Sequence, residues 1–102
     1  MTRIVHVKLF PFDVYIGRSH KDFPNGSKWG NPFIAGKHGT IWEVLTQYKQ
    51  HILSSPELLK SLPELENKIM GCWCKVANDP FRPCHGDVLI EILKEFAINF
   101  EP

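Results

Sequence analysis

Two strand-like runs, Asp13–Gly17 and Lys68–Cys74, are separated by a stretch that reads as two helices, and this order constrains the fold more than any other feature. A strand that reaches its partner through helices normally returns in the same direction, whereas antiparallel neighbours can be joined by a tight turn. A parallel pair is therefore expected. Its geometry would bring Gly17-Arg18 and Cys74 to one edge of the sheet, where open α/β sheets place their ligands.

The helical readings rest on capping and spacing. Thr40 and Glu43 form a capping box, and Ile41, Val44, Leu45, Tyr48 and Ile52 recur on one face. Ser55-Pro56 restarts a short helix through Leu62, since proline suits the first helical position, and Pro63 ends or kinks it. A third helix runs from His85 or Gly86 to about Phe96, with Val88, Leu89, Ile92, Leu93 and Phe96 at core spacing. Ahead of these, Ile4–Leu9 has strand composition, and Phe10-Pro11-Phe12 interrupts it before Val14. A hairpin or one bent edge strand is expected there. Between Arg18 and Gly39 the chain is rich in turn formers, but Phe23, Trp29, Phe33 and Ile34 favour a packed segment. The predicted class is α/β: a small layered sheet, partly parallel, with about three helices. With 102 residues there is apolar material for one core and not for two, so residues 1–102 form a single domain.

Composition narrows the function classes. An apolar fraction of 43% and a charged fraction of 23% are those of a soluble globular chain. No apolar run approaches the roughly 20 residues of a membrane span, so a cytoplasmic protein without a membrane partner is expected. Residues 1–50 carry seven Lys/Arg against three acids, and the remainder five against eight. That asymmetry suits a phosphate-bearing ligand near the basic half, but it is too thin for a dedicated duplex-DNA binder.

The chemistry concentrates in the last third. Strand alternation puts Met70, Cys72 and Cys74 on one face, and Cys84-His85 returns where the last helix begins. Three readings of this cluster stay open. Cys72, Cys74, Cys84 and His85 are a zinc ligand set by donor type, although adjacent Cys84 and His85 would project differently from a helical first turn. Alternatively, Cys84 at a helix N-terminus is a nucleophile with His85 as base, and Asp87 orients the imidazole or caps the helix. In the third, the cysteines are small buried apolar side chains. Arg18, with Ser19 and Lys28 nearby, suits a phosphate or carboxylate, and Trp29 and Asn31 suit a base by stacking and edge contact. Walker, dinucleotide-binding and zinc-deaminase motifs are absent from the sequence.

Four stretches, Val14-Tyr15-Ile16-Gly17-Arg18, Lys28-Trp29-Gly30-Asn31-Pro32-Phe33, Gly71-Cys72-Trp73-Cys74 and Cys84-His85-Gly86-Asp87-Val88-Leu89, together resemble a family of phage, viral and bacterial proteins catalogued as domain of unknown function, family 4326. The resemblance spans nearly the whole chain. It implies one compact domain of prokaryotic or viral origin and no particular activity. The resemblance also implies a basic residue early in the first helix, where this chain has Ile41-Trp42; if that residue binds ligand in other members, the pocket of this chain differs. The leading expectation is a nucleotide or nucleic-acid component bound at the Cys/His site, with zinc as cofactor. A thiol enzyme acting on a nucleoside, nucleotide or acyl group is the second, and a phage-encoded protein that binds a host protein the third.

Overall fold

The sheet is organised around Gly71. The computed structural model describes residues 2–73 and 83–100, with side chains through residue 95. Strands β1 (Arg3–His6), β2 (Val14–Tyr15) and β3 (Ile69–Cys72) form a sheet of order β1-β3-β2, and both outer strands run parallel to β3. Val5 and Tyr15 flank Gly71 from opposite sides. The parallel pairing expected of the second and late strands is present.

The hairpin or bent edge strand expected of the first two runs is not. Strand β3 lies between them, and because β1 and β2 share a direction the chain must recross the sheet between His6 and Val14. Phe12, in that connection, covers Gly71 so closely that a Cβ there would stand 2.6 Å from the Phe12 Cγ. Only glycine leaves room for this crossing. Its ends are held by Val7 N–H donating to Cys72 O at 3.1 Å and Asp13 N–H donating to Ile69 O at 2.8 Å. The Asp13 carboxylate accepts the Ile69 N–H in return, at 2.9 Å.

Helix α1 (Ile41–Leu53) begins with the reciprocal Thr40–Glu43 capping box. Its buried side chains are Val44, Leu45, Tyr48 and Ile52; Ile41, expected on that face, is the first residue of the helix and is instead 38% exposed. Helix α2 (Pro56–Ser61) starts from Ser55, whose hydroxyl accepts the Leu58 N–H. The chain then tightens into a 3-10 turn over Leu62–Leu65, because Pro63 lacks the N–H that a continuing helix needs. Helix α3 (His85–Phe100) buries Leu89 and Ile92 completely against α1 and the sheet. Each fully buried aliphatic side chain of this kind contributes about 1.5–3 kcal/mol of apolar burial.

The turn-rich segment between Arg18 and Gly39 is packed, as its aromatics suggest. Trp29 is only 1% exposed, and its indole N–H donates to Glu64 at 2.9 Å. Among the described residues no helix is long and apolar enough to cross a membrane.

Candidate functional site

Cys72 ends β3, on the face it shares with Met70, and both side chains are fully buried. Across the sheet edge, α3 starts immediately after Cys84. Cys84 caps this helix with its sulfur: Gly86 N–H donates to Sγ at 3.4 Å, while the Asp87 carboxylate accepts the Cys84 N–H at 3.0 Å. The arrangement is a reciprocal helix cap in which a thiol, accepting from the second helical N–H, replaces the usual hydroxyl. Gly86 lets the first turn press onto the sheet, since a Cβ there would lie 2.8 Å from the Ile4 side chain.

This docking brings the sulfur atoms of Cys72 and Cys84 to 3.2 Å from each other. The third member is His85, whose Nδ1 lies 3.7 Å from the Cys84 sulfur and whose Nε2 lies 2.6 Å from the carbonyl oxygen of Ile16. A carbonyl can only accept, so Nε2 carries the proton and a neutral ring presents a bare Nδ1 lone pair to Cys84. The ring is neutral at ordinary pH. Burial, the largest influence, lowers its pKa and the Arg18 charge adds to this, against opposing effects of the Ile16 carbonyl, Cys72 and Asp87. Tyr48 packs edge-on against it at 5.3 Å and donates its hydroxyl to Trp29 O at 2.6 Å. Burial, and then the nearby Cys84, raises the phenol pKa, which keeps Tyr48 protonated.

The other residues singled out from the sequence divide. Arg18 is exposed just beyond β2, close enough for its charge to lower the His85 pKa. Ser19 turns its hydroxyl to Pro24 O at 2.8 Å. Lys28 is paired with Glu64 at 2.9 Å. Trp29 and Asn31 are buried, so neither presents the stacking face or polar edge that a base would need. Asn31 instead shapes its turn, accepting the Phe33 N–H at 2.9 Å. Asp87 completes the cap by accepting the Cys84 N–H, and the imidazole is oriented by Ile16. Cys74 lies outside the described residues.

Two features were not legible as site residues. The Ile16 carbonyl is backbone, which carries no side-chain signal, and Tyr48 reads only as a core position of α1. An open groove of about 470 Å³ also runs between α1 and α3, bordered by Trp42, Thr46 and Gln50 on one side and Cys84, Asp87 and Val88 on the other. Lys49 spans one part of it to Glu91 at 2.9 Å and Glu95 at 3.3 Å. Trp42, 66% exposed, is the exception to the burial usual for tryptophan.

The chain is 40% identical over 91 residues to "Uncharacterized protein R718" of Acanthamoeba polyphaga mimivirus, a match covering 80% of this chain and 67% of that protein. No solved structure matches it. A family model does, over residues 2–95, and the chain thus belongs to the family described as Domain of unknown function (DUF4326).

Proposed function

We propose that the protein is a thiol-dependent enzyme, with Cys84 as nucleophile and His85 Nδ1 as its base. The observation that carries this reading is the His85 tautomer: the Ile16 carbonyl holds the proton on Nε2, which leaves Nδ1 directed at Cys84. The thiol proton passes to Nδ1, and the sulfur attacks an electrophilic carbon. As the new S–C bond forms and the leaving-group bond breaks, the imidazolium returns its proton to the departing atom. The Gly86 N–H and the positive end of α3 favour the anionic sulfur. A nucleoside, nucleotide or acyl substrate fits the setting, with Arg18 at the same edge to hold a phosphate or carboxylate.

Brief iodoacetamide treatment near pH 7 followed by peptide mapping tests this. Cys84 should be carbamidomethylated at least about tenfold faster than a free thiol and ahead of Cys72 and Cys74. Uniformly slow labelling removes the reading.

Zinc is the second reading, favoured by the Nε2 anchor, since a ligating histidine commonly donates its other ring N–H to a backbone carbonyl. Among the described residues no group of three or more His, Cys, Asp or Glu side chains is placed to hold an ion, so this reading depends on Cys74 joining Cys72, Cys84 and His85. About one zinc per chain in protein purified without chelator supports it, and less than about 0.2 removes it.

A further inference from the structure

Cys72 has no task in nucleophilic attack by Cys84, yet it brings a second sulfur to 3.2 Å from the first. The two come from different elements, the last position of β3 and the cap of α3, separated by twelve positions in the chain.

We infer that Cys72 and Cys84 are the two halves of a reversible disulfide formed by hydrogen peroxide, with Cys84 oxidised first and Cys72 resolving it. This rests on the reading of Cys84 as the reactive thiol. Three differences assign the order. Cys84 has the Gly86 N–H and the imidazole of His85 beside its sulfur, and, although both cysteines are buried, it is the one that borders the open groove between α1 and α3. Thiolate character and access decide which thiol a peroxide meets.

The chemistry closes without a further reactant. The Cys84 thiolate attacks one peroxide oxygen, forming an S–O bond and breaking the O–O bond, and the departing hydroxide takes the proton held on His85 and leaves as water. Cys72 sulfur then attacks the sulfenic sulfur; the S–S bond forms, the S–O bond breaks, and the second hydroxide takes the Cys72 proton. Two thiols lose two electrons and two protons, and the peroxide becomes two waters. The sulfurs need approach by only about 1 Å to reach the bonded separation of roughly 2 Å. In the disulfide Cys84 no longer carries a nucleophilic sulfur, so oxidation would silence the site until a thiol reductant restores it.

The test uses hydrogen peroxide at a few equivalents on the full chain. Non-reducing peptide mapping should show a peptide pair joined through Cys72 and Cys84, lighter by two hydrogens and separated again by dithiothreitol. In Cys72→Ser, or Cys72→Ala if the serine variant folds poorly, the link should vanish and dimedone should trap the sulfenic acid on Cys84. A Cys84 that alkylates rapidly with iodoacetamide but forms no link to Cys72, or links to Cys74 instead, overturns this inference and leaves the reactive-thiol reading intact. A Cys84 slow toward both iodoacetamide and peroxide overturns both.

Discussion

At the scale of single residues, the site turns on which nitrogen of His85 holds the proton. The short contact from Nε2 to the Ile16 carbonyl dictates the Nε2–H tautomer. Nitrogen NMR should report a protonated Nε2 and a bare Nδ1; the opposite tautomer would remove the base from the site. Burial, reinforced by Arg18, places the folded pKa of this ring below its ordinary value, so the unfolded chain takes up a proton where the folded chain does not. The sign follows. The stability His85 contributes is complete above about pH 6.5 and is lost as pH falls from there through the lowered folded value, by at most about 1.4 kcal/mol per pH unit. Urea unfolding of the wild type and His85→Gln between pH 7.5 and 5 checks this: the variant should lose less stability on acidification, and equal slopes would contradict it.

At the scale of elements, the crossing of Phe12 over Gly71 holds β1 and β2 on opposite sides of β3. Gly71→Ala should cost about 1–3 kcal/mol by overpacking, and Phe12→Ala in the same chain should recover part of it. Additive losses in denaturant unfolding would show that the two do not meet. This contact also explains what the sequence could and could not convey. Helix α1 was legible because Thr40, Glu43 and the spacing of Val44, Tyr48 and Ile52 are local signals. The direction of β2 and β3 followed from the helices between them. The strand order did not, since a two-residue alternation says which face a side chain takes and nothing about which strand lies alongside. The thiol cap is a further element-scale device: Cys84→Ser, which keeps a cap acceptor, should destabilise the fold less than Cys84→Ala, by about 0.5–1 kcal/mol in thermal unfolding.

At the scale of the whole molecule, the sheet edge gathers what the chain separates: Arg18 after β2, Cys72 at the end of β3 and His85 at the start of α3. Cys84, His85 and Asp87 were legible together because they are contiguous, and Cys72 joined them through the expected parallel pairing. For Trp29 and Asn31 the sequence left both a surface platform and a packed turn open, and only the partner Glu64 and the core beneath distinguish the two. The Ile16 carbonyl had no signature at all, although it fixes the chemistry of the histidine. Reactivity at this edge depends on His85 acting on Cys84. Its most direct measurement is the rate of Cys84 alkylation at pH 7 in the wild type and in His85→Asn, with circular dichroism to establish that both are folded. The expected result is fast labelling in the wild type and a fall of about tenfold or more in the variant; identical rates in two folded proteins would contradict it.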